Sequence, residues 1–156
     1  MVSCSLRFNP WTLLPLALLC AAIATPYCLT HSLLPLGFAL HRAFALVCHQ
    51  RPERSFWIFD APIAVCARCL GIYLGAAIGL LLRTSRHLAL RVLLAAAALN
   101  ALDAATELAV LHGNWLGMRF ALGIILGATG ALMISSATLA SRRSSPPAAA
   151  EQRHLF

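Results

Sequence analysis

The sequence places its reactive side chains in two short runs, a Cys-His pair at residues 48–49 and a CxxC motif formed by Cys66 and Cys69. Three thiols and an imidazole are a ligand set that suits tetrahedral Zn²⁺, and thiolate-rich sets also suit Cu(I) or an iron–sulfur cluster. The loop between the two runs is long enough to fold back. We therefore predict a metal site formed by Cys48, His49, Cys66 and Cys69, with zinc or another thiophilic ion. If the backbone does not turn sharply after Cys48, three thiolates and an outside ligand are left.

The same sulfur atoms also support a redox interpretation. A CxxC motif near a helix N-terminus has its thiolate favoured by the helix dipole, and Arg68 adds to that effect. The alternative function is therefore a membrane thiol-disulfide oxidoreductase, in which Cys48 is the exchange partner of the CxxC pair. A structural disulfide or plain packing is the third interpretation, and packing is what we expect for the other three cysteines, because Cys is common in buried apolar sites. Whether the protein is an enzyme is left open.

A second group of charged residues within the apolar segments consists of Arg68, Asp103, Glu107 and Arg119. A charge at membrane depth costs ~2.5–3.5 kcal/mol on insertion scales, and such residues usually pair inside a bundle. One interpretation is an ion-pair network that fixes the register of the helices. The other is a polar pocket for a proton, an ion or a small ligand, which would fit a small transporter-like protein that uses the two carboxylates.

Polar residues also fill the loop after the Cys-His pair, where Pro52 breaks any helix. Arg54 is a candidate for binding an anion or for holding the loop against Glu53. The residues that we assign to a polar network or ligand pocket are Gln50, Arg54, Arg68, Asp103, Glu107 and Arg119.

The composition excludes an ordinary soluble domain. Hydrophobic residues make up 60% of the chain and charged residues 11%, whereas a soluble domain carries about 25% charged residues. The net charge of +7 comes from arginine alone, since the sequence has no lysine. These arginines lie between apolar runs rather than on one amphipathic face, which fits a lipid bilayer as the partner and not nucleic acid.

Apolar runs of about 20 residues, the length that crosses the hydrocarbon, occur at residues 11–28, 61–82, 88–111 and 118–139. A fifth run at residues 33–48 is interrupted by His41 and Arg42, and we read it as a short interfacial helix. The prediction is an all-α, polytopic membrane helix bundle of four transmembrane helices plus this interfacial helix. It forms one domain at residues 1–140, followed by a disordered tail at residues 141–156. The first run also permits a cleaved signal peptide, but its length favours a retained span.

Arginine placement predicts a multi-pass protein of a prokaryotic inner or plasma membrane with a cytoplasmic N-terminus. The loop at residues 49–60 and the CxxC motif then lie on the extracytoplasmic side. Glycines recur every fourth residue on the second and fourth runs, and this spacing lets helix backbones approach closely. We expect tight packing within the bundle, and a homo-oligomer through these glycine-lined faces is the alternative. The glycines are Gly71, Gly75, Gly79, Gly123 and Gly127.

Two sequence runs, CHQRPERSFWIF at residues 48–59 and VCARCLGIYLG at residues 65–75, resemble the signature of the uncharacterised prokaryotic membrane proteins of domain-of-unknown-function family 2085. The resemblance also includes Asp103 within ALDAATEL and Arg119 with Gly123, and it covers residues 45–134. That family has no established activity, so the resemblance implies a membrane architecture and a set of positions but no reaction. We expect a membrane protein of unknown biological role that carries an extracytoplasmic Cys/His cluster.

Overall fold

The structure is a computed structural model that describes residues 10–82, 84–108, 113 and 115–144. Within these residues the chain forms five α-helices, which are α1 (Leu13–Thr30), α2 (Leu34–Ala45), α3 (Ala67–Leu81), α4 (Arg86–Leu108) and α5 (Leu116–Ser144). Short 3₁₀ turns lie at Pro10–Thr12 and Pro52–Arg54. A two-stranded antiparallel sheet joins β1 (Trp57–Ile58) to β2 (Ala61–Pro62) in the segment between α2 and α3. The predicted all-helical character is confirmed, apart from this small hairpin.

Three helices in the described residues are long and apolar enough to cross a membrane, namely α1, α4 and α5. Helix α3 is apolar but has only 15 residues. At 1.5 Å per residue it is about 22 Å long, which is less than the ~30 Å of a hydrocarbon core. The predicted count of four helical spans is therefore not confirmed.

The helix in the second predicted span begins later than the apolar run, because residues 61–66 are not helical. Phe59 and Asp60 both have positive φ angles, of 55° and 58°, as in the two-residue turns that close β-hairpins. Cys66 has an extended backbone (φ −68°, ψ 159°) and forms the N-cap of α3. The apolar run at 61–82 is thus divided into a hairpin strand, an irregular segment and a helix.

The remaining predicted boundaries agree with the structure to within a few residues. The short helix expected at residues 33–48 is α2, and α4 covers the described part of the run at 88–111. Residues 109–111 lie outside the described residues. The tail expected at 141–156 begins inside α5, which ends at Ser144, and residues 145–156 are again outside the described residues, as is Cys4.

Glycines bring α3 and α5 into close contact along their length. A Cβ atom added at Gly71, Gly75 or Gly79 would lie 2.1–2.2 Å from a carbonyl oxygen of α5, and one added at Gly123 or Gly127 would lie 2.2–2.3 Å from a carbonyl oxygen of α3. No side chain fits at such distances, so glycine is required on both faces. The two glycine-lined faces therefore pack against each other within one chain. Homo-oligomer formation stays a prediction.

The irregular segment before α3 lies at the centre of the core. Ile63, Ala64 and Val65 are completely buried against α1 and α3. Their backbone groups have partners, because the Ile63 N–H donates to the Phe56 carbonyl (2.9 Å) and the Ala64 N–H donates to the Ala22 carbonyl (3.4 Å). This arrangement fixes the position of Cys66 and of the N-terminus of α3.

Candidate functional site

Three cysteines meet where the loop after α2 reaches the N-terminus of α3. The Sγ atoms of Cys48, Cys66 and Cys69 all lie within 4.8 Å of one another. Cys48 is 6% exposed, and Cys66 at the N-cap of α3 and Cys69 in its first turn are half-buried. All three are free thiols. The spacing of three residues puts Cys66 and Cys69 on one face of the helix, and the buried segment 63–65 brings that face against Cys48.

The Cys48 sulfur accepts a backbone hydrogen bond at the N-terminus of α3. The backbone N–H of Cys66, the N-cap of α3, donates a hydrogen bond to the Cys48 Sγ at 3.2 Å. Hydrogen bonds from the Cys66 thiol, from the Cys69 thiol and from this backbone N–H hold the pKa of Cys48 well below its usual range, although burial acts in the opposite direction. The loop cysteine is therefore the favoured thiolate, whereas the sequence alone had assigned that role to the CxxC pair.

The sulfur geometry fits one thiophilic metal ion with small adjustments. Tetrahedral Zn²⁺ with Zn–S bonds of ~2.3 Å requires sulfur atoms about 3.8 Å apart. The observed upper limit of 4.8 Å differs from this by about 1 Å, which side-chain rotation can supply. The donor set is soft, as zinc, Cu(I) and iron–sulfur clusters prefer.

His49 does not join the three cysteines. In the part of the chain that the structure describes, the group of metal-ligating side chains at this site consists of Cys48, Cys66 and Cys69. The His49 side chain is exposed, whereas that of the adjacent Cys48 is buried, so the two leave the backbone in different directions. The geometry provides three protein ligands, and ligation by His49 stays a prediction.

Gln50 links the loop to the core rather than to the charged residues. It has a positive φ of 50°, and its Nε2 donates to the carbonyl oxygens of His41 (2.7 Å) and Ala64 (2.8 Å). One side chain thus ties the C-terminal turn of α2 to the buried segment before Cys66. Because Cys48 lies two residues from Gln50, these bonds fix Cys48 relative to the CxxC pair.

The charged residues form one continuous ion-pair network beside the cysteines. Asp103 of α4 contacts Arg68 of α3 and lies 3.4 Å from the Nε of Arg119 on α5. Glu107 lies 2.7 Å from Arg119 and 2.9 Å from Arg54 of the loop. The network joins three helices and the loop. Arg54 thus pairs with Glu107 of α4, and contact of Arg54 with the neighbouring Glu53 stays a prediction.

A cavity of about 190 Å³ lies over the cysteines. A smaller cavity of about 40 Å³ lies beside it between the network and Cys66. Arg51 also belongs to the lining of the larger cavity, although the sequence did not single it out as a site residue. Its only sequence signal is its position within the run at 48–59. The lining residues of the larger cavity are Val47, Cys48, His49, Gln50, Arg51, Arg54, Cys66, Arg68 and Cys69.

Two archaeal proteins are similar to part of this chain. An uncharacterized protein of Methanocaldococcus jannaschii is 47% identical over 47 residues, which cover 30% of each protein. An uncharacterized protein of Methanothermobacter thermautotrophicus is 52% identical over 33 residues, which cover 21% of this chain and 30% of the relative. The matches thus span about 30% of the length of these relatives. No solved structure matches the chain.

A family model matches residues 48–133. The match begins at Cys48 and contains the cysteines, the loop and the whole ion-pair network described above. It covers more than half of the 156 residues. The chain therefore belongs to the family described as predicted membrane protein (DUF2085).

Proposed function

We propose that this protein is a multi-pass membrane protein that binds a thiophilic metal ion through Cys48, Cys66 and Cys69 at the membrane surface. The observation that carries the proposal is the convergence of three free sulfur atoms within 4.8 Å. A tetrahedral ion held by three thiolates has one position left, and the cavity over the cysteines leaves room for an outside ligand there. Catalytic zinc sites keep such an open position, whereas structural sites are closed.

The membrane arrangement that we propose has four crossings, by α1, α3, α4 and α5, with α2 at the interface. Helix α3 supplies about 22 Å. The non-helical residues Ile63, Ala64 and Val65 precede the helix and lengthen this crossing toward the ~30 Å of a hydrocarbon core. Non-helical backbone is tolerated at membrane depth where protein buries it, and these three residues are completely buried.

Arginine placement favours a cytoplasmic N-terminus, which puts the cysteines on the extracytoplasmic side of a prokaryotic membrane. Labelling by a membrane-impermeant maleimide in intact cells tests this orientation. A cysteine introduced at Arg51, on a background in which the native cysteines are serine, is expected to react without cell lysis. Reaction only after lysis would indicate the opposite orientation, with the cysteines on the cytoplasmic side.

The metal proposal is tested by elemental analysis of detergent-purified protein that has not been exposed to chelator. We expect about one metal ion per chain, lost in Cys66→Ser and in Cys69→Ser. Cys20→Ser is the matched control, because Cys20 is an exposed thiol outside the cluster, and it is expected to retain the metal. A metal-free preparation that is fully folded by circular dichroism and that takes up no Zn²⁺ or Cu(I) contradicts the proposal.

The second candidate is a thiol-disulfide oxidoreductase. It is supported by the hydrogen bonds that favour the thiolate of Cys48, since a lowered thiol pKa is typical of reactive cysteines. Thiol counting after mild oxidation separates the two candidates. Loss of two thiols among the three, reversed by a dithiol reductant, favours redox chemistry. Three thiols that stay reduced and protected by metal favour the metal centre.

A small transporter that uses Asp103 and Glu107 has the least support. Both carboxylates are engaged by arginines in the ion-pair network, as expected for charges that fix the register of packed helices. Proton-coupled flux in liposomes that disappears in Asp103→Asn would revive this candidate.

A further inference from the structure

We propose that the cavity over the three cysteines is an anion site, which binds a small oxyanion such as a phosphate or sulfate group through Arg51, Arg54 and Arg68. The inference goes beyond the metal proposal and does not require a metal ion, because it rests on the arginines of the lining.

The charge of the lining is the first support. Of the nine lining residues three are arginines and three are the cysteines of the cluster, and the lining contains no carboxylate. The carboxylates of Asp103 and Glu107 lie behind this surface, where they contact the arginines from the side of α4. A ligand that enters the cavity therefore meets guanidinium groups, which favours an anion.

Arg68 supplies the second support. Its Nε is buried and, within the described residues, has no hydrogen-bond partner, and Arg68 lines both cavities. A buried N–H without a partner is costly unless a ligand or water accepts its hydrogen bond. Guanidinium groups match the oxygen atoms of phosphate and sulfate through paired N–H donors, so an oxyanion is the ligand that this surface fits best.

The size of the cavity limits the ligand. About 190 Å³ is less than the ~300–1,000 Å³ of sites that hold drug-sized molecules and cofactors. The volume suits an ion of a few heavy atoms. His49 and Arg51 lie at the rim with exposed side chains, so the cavity is open to solvent or to lipid headgroups at that edge. A free oxyanion and the phosphate of an anionic lipid share the chemistry that the arginines recognise.

Titration of the full-length protein with inorganic phosphate tests the inference. The protein is held in uncharged detergent, stripped of metal by chelator, and kept at constant ionic strength with chloride. We expect saturable binding that weakens about tenfold or more in Arg68→Gln and in Arg51→Gln, as for loss of a hydrogen bond to a charged group. Arg91→Gln is the control, because Arg91 is an exposed residue of α4 outside the cavity. If Arg68→Gln does not fold, the phosphate affinity of Arg51→Gln, a variant at the rim of the cavity, decides the test.

Nanodiscs distinguish the two sources of the anion. If phosphate binds equally in nanodiscs of phosphatidylcholine and in nanodiscs containing phosphatidylglycerol, the ligand is a free anion. If phosphatidylglycerol competes with phosphate, and Arg51→Gln removes the competition, the ligand is a lipid headgroup. Either result supports the anion site. The same binding is expected in a Cys66→Ser protein that binds no metal. Absence of binding in every arm, or equal effects of Arg51→Gln and Arg91→Gln, overturns it.

Discussion

Replacement of Arg119 by methionine tests whether the ion-pair network holds the helices together. Arg119 is 3% exposed and contacts both Asp103 and Glu107, so it joins α5 to α4. Removal of one partner of a buried ion pair costs about 3–5 kcal/mol, because a charge is left without compensation. In the variant, Asp103 still has Arg68 as a partner and Glu107 still has Arg54. We therefore expect the free energy of unfolding to fall by the lower end of this range, about 3 kcal/mol.

Thermal unfolding in detergent, followed by far-ultraviolet circular dichroism, measures this loss. For a chain of this length each kcal/mol shifts Tm by about 2–4 °C, so Arg119→Met is expected to lower Tm by about 6–12 °C. The control is Arg91→Met, which removes an exposed arginine of α4 and is expected to change stability by ~0.5 kcal/mol or less. Arg119→Lys keeps the charge but not the planar fork, and it should lie between the two.

The reasoning is refuted if Arg119→Met lowers Tm by no more than Arg91→Met does. A double-mutant cycle with Glu107→Gln gives an independent result. Neighbours in one network show coupling energies of about 0.5–3 kcal/mol, so additive effects of Arg119→Met and Glu107→Gln would also exclude the network as a source of stability.

Two further predictions concern packing and the loop. Gly75→Ala is expected to lower Tm, because its Cβ would lie 2.1 Å from the Ile124 carbonyl oxygen, whereas Gly130→Ala meets no atom within 4 Å and should be neutral or stabilising by up to ~1 kcal/mol. Equal Tm values for the two variants would contradict the close contact of α3 with α5. Gln50→Gly keeps a residue suited to the positive φ but removes two hydrogen bonds to backbone carbonyls. We expect it to lower the metal content of purified protein, since Cys48 is then held less firmly, and unchanged metal content would show that Gln50 does not position the site.

The sequence by itself determined the class of protein and the elements that carry the site. Apolar runs near 20 residues in length predict membrane helices because the bilayer thickness sets that length, and α1, α4 and α5 agree with the runs. Glycines at a spacing of four predict close packing because the missing side chains lie on one helix face, as α3 and α5 show. Cys66 and Cys69 are near each other in any helix that contains them.

The tertiary structure decided what depends on residues far apart in the chain. Hydropathy does not distinguish a buried non-helical segment from a helix, so the start of α3 at Ala67 was not predictable from the apolar run. The pairing of Arg54 with Glu107 joins a loop to α4, and no local pattern specifies such a contact. The same holds for the Cys48 sulfur at the N-terminus of α3. Residues that are far apart in the sequence can lie at many distances from one another. Only the packing of the helices brings these pairs into contact.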